Sequence, residues 1–580
     1  MRGADLSAVA VIADAHYHDL EGDYGFEGVE LSGKRLTARS WADTRASTRV
    51  FNESFRALPA ALDEVSARGA RHVVLLGDYT DDGQRQTTEA VRDLLKTYEQ
   101  KHGLRFYAIP GNHDVFGPNG RHHSKGFLTR SGSSITVTSD TAVAAVNPAQ
   151  SCLSAGMYCE GYPAGLLPMA RFGLFARPEY LHWESPFGNS DSVSTRQYRV
   201  SSADGQSTFT LMDASYLVEP EEGLWLLMID ANVFEPRNGQ RDPFREETFI
   251  DSTGAGWNAV IRLKPFLIDW IADVHFRAKT LGKTVLCFSH YPVIDPFDDS
   301  AGSEAMLFGD TNVVKRTPNI AVAQTLISAG MTSHFSGHLH VNGTTRREVA
   351  GRSLVNIAVP SLVAFPPAFK IVHPGKGAWE IETIALSSIA TDERILQLYR
   401  KEALFSGEPR DEAYSVTDYG TFLYRHMRSL VASRYLPNEW PKEVVAQLSA
   451  SSVRDVCILL LTRERLHIFP NPRDHDNEPL EILERNAAKF GLSVGDLERV
   501  EMIDLIKDWY CLRRAGAMAL PFIGQYRIAI YNFLRSNAIP YTHAHPSESV
   551  TAFIGTFLKL LATSLERSGL SAPKPAVILQ

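Results

Sequence analysis

The sequence is short of several things. It has no apolar run of about eighteen residues, the length a membrane-spanning helix needs, so no span is expected. It has no excess of positive charge. With a net charge of −8 and an isoelectric point of 6.2, stable binding to nucleic acid through a basic surface is not expected. That balance leaves a small phosphate ester, bound locally by metal, fully open. Cysteines number only five, too few and odd in number for a disulfide framework. Cys152 and Cys159 lie close together in a Gly/Pro/Ser-rich stretch and allow two readings, a disulfide in an oxidising compartment or two unpaired thiols. The start, MRGADLSAVAVIADAH, lacks a long apolar segment and a cleavage site. Ala8 to Ala13 therefore reads as a first buried strand rather than a signal sequence, and a cytoplasmic location is expected unless a signal is missing from this chain. No internal repeat or low-complexity tract stands out.

What is present is the composition of a globular protein, 44% hydrophobic and 22% charged. At 580 residues the chain is too long for one ordinary core, which implies two domains or one domain with large insertions. The first half alternates apolar runs with helical spacing. SAVAVIAD (7–14), HVVLLGD (72–78), LRFYAIPGN (104–112), LWLLMID (224–230), KTVLCFSH (283–290) and MTSHFSGH (331–338) read as buried strands running into polar loops. Phe55–Arg68, Gln86–Gln100 and segments near 264–281 and 319–329 read as helices. This β-α-β rhythm predicts an α/β sandwich or layered sheet with its site at the strand C-ends. Residues 115–205, rich in Gly, Ser, Pro and aromatics, are too long for a connector and read as an insertion or lid. From about 400 onward the patterns are helical. The expected domains are 1–400, catalytic, with the 115–205 insertion, and 401–580, an all-α C-terminal domain with three readings, a lid over the site, which is preferred, an oligomerisation surface or an independent module.

Each predicted strand end delivers a metal-competent residue: Asp14 and His16 in DAH, Asp78 in GDYTDDG, Asn112 in GNHD, His290 in FSHYP, and His338 and His340 in GHLH. Side chains at i and i+2 of an extended chain leave the same face, so the DAH and GHLH pairs each point one way. Taken singly, a histidine at a strand end is more often a satisfied polar residue, and an aspartate at a βα turn a helix cap. Seven oxygen and nitrogen ligands in this arrangement suit two adjacent divalent ions, manganese, iron or zinc. Two cations need a shared anion, and Asp78, beside Gly77, is the natural bridge. Two ions about 3.5–4 Å apart neutralise a phosphate ester and bring bound water towards a pKa near 7, which makes hydroxide attack on phosphorus feasible. The departing alkoxide then needs a proton. His113 is the candidate general acid, with Asp114 accepting from its other ring nitrogen.

The series Asp14-Ala-His16, Gly77-Asp78, Gly111-Asn112-His113-Asp114, His290 and Gly337-His338-Leu339-His340 resembles the signature of the calcineurin-like metallophosphoesterase superfamily, without a gap. The full pattern is similar to that of class III cyclic nucleotide phosphodiesterases. The resemblance implies a metallophosphoesterase-type double β-sandwich flanked by helices. It also implies that one metal takes Asp14, His16, Asp78 and His340, the other Asp78, Asn112, His290 and His338. The expected function is hydrolysis of a small-molecule phosphodiester, a cyclic nucleotide in the first instance. Two alternatives use other assumptions: a phosphomonoesterase on the same metals, and a non-catalytic scaffold, which should have lost ligands that this chain retains. Other residues have plainer readings. Tyr291 lines the pocket or packs, and His18, His122, His123 and His334 are solvent-facing or structural. Phe365 and Phe369 read as core rather than as a base-stacking surface, and Asp81 and Asp82 as turn chemistry. Sequence leaves the oligomeric state open.

Overall fold

The computed structural model describes residues 6–570 apart from 298, 375–378, 409–410, 469–477 and 537–544. Two large sheets make the first part of the chain. The first has the strand order Trp379–Ala385, Ala368–Pro374, Val9–Ile12, His72–Leu76, Arg105–Ile109, and its last three strands are parallel. The second runs Gly343–Val349, Arg352–Ala358, Ser333–Ser336, Thr284–Phe288, Leu224–Met228, Tyr216–Glu221, His182–Glu184, with parallel strands at its centre. All six strands expected from the sequence are present, a little shorter than the apolar runs that announced them.

Period-two alternation explains why those runs are apolar throughout. Val9, Val11, Val74, Leu76, Tyr107 and Ile109 of the first sheet share one core with Leu224, Leu226, Met228, Leu286, Phe288 and Phe335 of the second. The intervening residues of the second sheet, Trp225, Leu227, Ile229 and Cys287, pack instead with Trp257, Val260, Leu267, Ile271, Val274 and Leu326 from helices. A strand covered on both faces has no polar side to show, and each fully buried large aliphatic side chain contributes about 1.5–3 kcal/mol. The covering helices are Gly256–Leu263, Pro265–Leu281 and Ile320–Ser328. Pro265 opens the second at a position where its missing N–H costs nothing, and Gly282 closes it in the left-handed conformation (φ 66°).

The 115–205 segment is built rather than loose. Ser124–Leu128, Ser134–Thr138 and Ser151–Leu153 form a three-stranded sheet, and Gln197–Ser201 pairs with Thr208–Met212. Phe127, Val137 and Met157 pack with Tyr24 and Phe26, which fixes this small sheet to the loop after Asp14 and His16. Cys152 and Cys159 are free thiols. The Cys159 thiol donates to the Asp82 carbonyl.

Beyond Ala385 the described residues form helices and no named strand. The chain divides into two compact units, one comprising residues up to Pro296 and Arg316–Leu423, the other Phe297–Lys315 and the described residues from Tyr424. This border differs from the expected one near 400 for a physical reason. Helical texture starts at Glu393, but the first helix still belongs to the sandwich: Tyr399 exchanges hydrogen bonds with Asn52 and Glu53, and the Tyr419 hydroxyl donates to the Leu362 carbonyl. Within the second unit, Asp508 is buried among Tyr424, Arg428, Arg527 and Tyr531. No helix among the described residues is long and apolar enough to cross a membrane.

Candidate metal centre

The parallel strands of each sheet bring their C-terminal ends to one edge, and the loops leaving that edge are cross-tied. The Asp14 amide donates to the Gly77 carbonyl (3.1 Å) and His16 to that of Asp78 (2.8 Å), while Gly337 donates to His290 (2.9 Å). The two sheets meet where the His338 amide donates to both Asp14 carboxylate oxygens, at 3.0 and 3.1 Å. Five residues of the site hold positive φ: Asp14 (50°), His16 (40°), Asp78 (50°), His338 (69°) and His340 (53°). Left-handed backbone at non-glycine residues is uncommon and costs energy, and it persists where surrounding contacts over-determine it. Here it turns each side chain back towards a common point.

Two groups result, Asp14, His16 and His340, and Asp78, His290 and His338; within each the ligand atoms lie within 4.8 Å of one another. His340 Nε2 is 3.3 Å from Asp14 Oδ1 and 3.2 Å from His16 Nε2. Asp78 stands between the groups, its Oδ2 lying 3.7 Å from His16 Nε2 and 3.2 Å from His290 Nε2. All six side chains are buried. A methyl at Gly77 would come within 2.6 Å of the His290 ring, so the glycine before Asp78 makes room for that histidine.

The donor set fits divalent metal. Asn112 Oδ1 and His338 Nε2 are buried without a hydrogen-bond partner among the described residues, an expense that a bound cation removes. His290 Nδ1 lies 2.9 Å from the Leu76 carbonyl, which assigns its proton there and leaves Nε2 as the donor atom. Burial, with Arg49 next, pulls the His16 imidazole well down, and burial, with Arg316 next, does the same for His338. Both are therefore neutral rings with a lone pair available. Asp78 is held well below the usual carboxylate range: burial pushes it up, but the neighbouring His290 and His113 outweigh that.

His113 lies at the open side, its ring 5.0 Å from that of His16 and its side chain 26% exposed. Its amide donates to Asp78 Oδ1 (2.7 Å). The expected partner for its second ring nitrogen was Asp114, and the structure corrects this. Asp114 turns away and accepts from the Thr80 amide (2.9 Å), the Thr80 hydroxyl (2.7 Å) and the Gly111 amide (2.9 Å), stapling two strand-end loops together. Burial, with the Asp78 charge behind it, raises its carboxyl. The group that meets His113 Nδ1, at 2.5 Å, is Asp82 Oδ1. Asp82 also accepts from Arg49 (3.2 Å) and Lys125 and lies 3.3 Å from His123 Nε2. Asp81 beside it pairs with Arg39 (3.0 Å) and Arg49 (3.1 Å). Two acids read as turn chemistry are thus the anionic half of a buried network, and Lys125 and His123 reach it from the inserted segment. Burial, with Arg49 next, lowers the His113 imidazole to about 4.

The remaining candidates are placed as packing. Phe365 and Phe369 are buried. The His18 ring sits on the Thr37 carbonyl, His122 on Ser139, and His334 between Ser289 and Asn356. Tyr291 is buried with its ring 4.5 Å from that of His338, its hydroxyl donating to Asn232 and to the Ser252 carbonyl.

Residues 7–158 match the model of the calcineurin-like phosphoesterase family. Asp14, His16, Asp78, Asn112, His113 and Asp114 fall within that match; His290, His338 and His340 come from the second sheet. Among solved structures, a dimetal phosphatase from Danio rerio is similar at 13% identity, over 66% of this chain and 97% of that one, with a TM-score of 0.34. The phosphopantetheinyl hydrolase of Mycobacterium tuberculosis is similar at 11% identity, over 62% and 91% of the two chains, with a TM-score of 0.24. Nothing about substrate follows from likenesses this remote. No curated protein matches the chain. The family match over residues 7–158 supports a metal-dependent hydrolase of phosphoric esters and implies divalent metal ions, for which two candidate groups are present.

Proposed function

We propose that this chain is a dinuclear metal-dependent phosphodiesterase, with a cyclic nucleotide as the first substrate to try. The observation that carries the proposal is the pair of buried groups facing each other across Asp78, with His113 half-buried beside them. One ion would be held by Asp14, His16, Asp78 and His340, the other by Asp78, Asn112, His290 and His338. Two divalent ions supply charge neutralisation for the phosphate oxygens and a nucleophile at neutral pH.

The chain's own residues supply the rest. Asp82 accepts at His113 Nδ1, which leaves Nε2 to carry the proton given to the departing oxygen. Burial keeps His113 neutral in the free protein, and the negative charge of an arriving phosphate favours its protonated form. The cations of the neighbouring network, Arg39, Arg49 and Lys125, are held by Asp81 and Asp82.

The test compares bis-p-nitrophenyl phosphate with p-nitrophenyl phosphate, then 3′,5′- with 2′,3′-cyclic AMP, with manganese or zinc supplied. Preference for diesters that chelation abolishes supports the proposal. Preference for the monoester assigns the site to a phosphomonoesterase, and silence with two ions bound returns the scaffold.

A further inference from the structure

A cleft of about 440 Å³ is lined by residues 116–121 on one side and by Arg237, residues 243–247 and residues 249–251 on the other. The first wall adjoins His113, and the second is joined to the metal centre through the next residue of the chain. The Phe116 ring lies 5.9 Å from the ring of His113, and Asp251 precedes Ser252, whose carbonyl receives the hydroxyl of Tyr291, the residue packed on His338. A group leaving phosphorus with a proton from His113 must have its oxygen within hydrogen-bond reach of that ring. Whatever that oxygen carries extends towards the next wall, which is Phe116.

The chemistry of the cleft is aromatic and, in sum, uncharged. The Arg121 guanidinium covers one face of Phe116 at 3.4 Å from the ring centre, and Arg121 is itself paired with Glu246 (2.8 Å). Arg245 lies 3.5 Å from Glu247. Three arginines, Arg121, Arg237 and Arg245, face three acids, Glu246, Glu247 and Asp251, so no excess charge waits for a second anion. Phe244, in the second wall of the same cleft, is 80% exposed, a large apolar ring with no aromatic contact among the described residues. A cavity of this volume, with three phenylalanines set among charges that sum to zero, is of a size that suits a small organic ligand.

We infer that this cleft is the leaving-group subsite and that it takes a flat, uncharged aromatic ring carried by the ester oxygen, directly or through a sugar, and held against Phe244 and the Arg121-covered Phe116. The inference rests on the phosphoesterase reading of the metal centre and adds a selectivity that the metals cannot supply. A nucleobase and a simple aryl ring share this chemistry, and the experiment separates them.

Binding of inorganic phosphate, ribose 5-phosphate, AMP and phenyl phosphate to the metal-loaded full chain is measured by calorimetry. Stacking of one ring predicts AMP tighter than ribose 5-phosphate by about 10- to 100-fold. Phe244→Ala, at an exposed position where folding is not at stake, should remove most of that advantage and leave phosphate and ribose 5-phosphate where they were. Phe116→Leu, which keeps apolar volume without a ring, should do the same in part. Phenyl phosphate sharing the advantage over inorganic phosphate identifies a general aryl site; AMP alone gaining it identifies a nucleobase. No advantage for either ring, or an advantage that survives Phe244→Ala, overturns the subsite while phosphate still binds. Failure of every phosphate in the series to bind, with bis-p-nitrophenyl phosphate also left uncleaved, removes the phosphoesterase reading itself, and the subsite with it.

Discussion

Asp82→Asn isolates the role the structure gives to the Asp82 carboxylate. The substitution keeps volume and hydrogen-bonding capacity and removes the charge that faces His113 Nδ1, Arg49, His123 and Lys125. At an effective dielectric of 20, a unit charge pair about 4 Å apart interacts by about 4 kcal/mol. Arg49 and Lys125 already offset part of that field at His113, so about half, some 2 kcal/mol, is a reasonable share for the imidazolium. That corresponds to a loss of about 30-fold, and the full general-acid contribution, about 10²–10⁴-fold, sets the ceiling. Stability should fall by less than the roughly 3–5 kcal/mol of an uncompensated buried charge, because Asp81 remains to pair with Arg39 and Arg49. The assay compares kcat for an alkyl diester, whose leaving oxygen needs the proton, with kcat for a p-nitrophenyl ester, whose leaving group departs without it. The expected result is a loss of about 30-fold on the first and under about 5-fold on the second, with metal content unchanged. Equal losses on both substrates, or wild-type turnover of the alkyl ester, would refute the assignment of Asp82 to His113.

Asp78→Ala should leave fewer than two ions per chain by elemental analysis, because its carboxylate faces His16 and His290 together; two ions retained would deny it the bridging place. Gly111→Ala should also cost metal, since the added methyl would sit 2.5 Å from the Asp78 amide nitrogen and against its carboxylate. Gly103→Ala is the control: its φ is +68° but nothing lies within 4 Å, so it should lower stability by about 1 kcal/mol and leave metal content alone. Burial raises the Glu53 carboxyl from 4.5 to about 7, with the Tyr399 hydroxyl on Oε1. The folded state therefore keeps a proton that the unfolded chain loses first, and stability should fall by about 3 kcal/mol as pH rises from about 4.5 to about 7. Thermal melts at pH 5 and pH 7.5 should show that fall in the wild type and a shallower one in Glu53→Gln.

The sandwich was legible because its strands carry their signal locally. Val9 to Ile12, His72 to Leu76 and Thr284 to Phe288 are apolar at every or nearly every position, the mark of a strand buried on both faces, and each is followed within two residues by a polar one. The border of the helical part was less legible, because periodicity reports the shape of an element and not the body it packs on. Glu393–Ser406 looks like the helices after it, yet one tyrosine, Tyr399, ties it to Asn52 and Glu53 some 350 positions earlier. The inserted segment hid its sheet for a related reason. Its strands are short and only half-buried, so alternation has few positions in which to appear.

At the site, sequence showed which residues stand at strand ends but not where they turn. Asp114 follows His113 directly, and adjacency made it the expected partner; the backbone instead sends its carboxylate back to Thr80 and Gly111. Asp82 reaches His113 from 31 positions away, across two parallel strand ends that only the sheet brings side by side. The left-handed residues have the same character. An aspartate or histidine at φ near 50° is indistinguishable in sequence from one in ordinary turn geometry, and the strain is held by contacts made elsewhere, such as the two Asp14 oxygens on the His338 amide. Spacing alone predicts that DAH and GHLH each present two side chains together, because that follows from one extended stretch. Convergence of the two pairs depends on a hydrogen bond between residues 324 positions apart, which a local pattern does not encode.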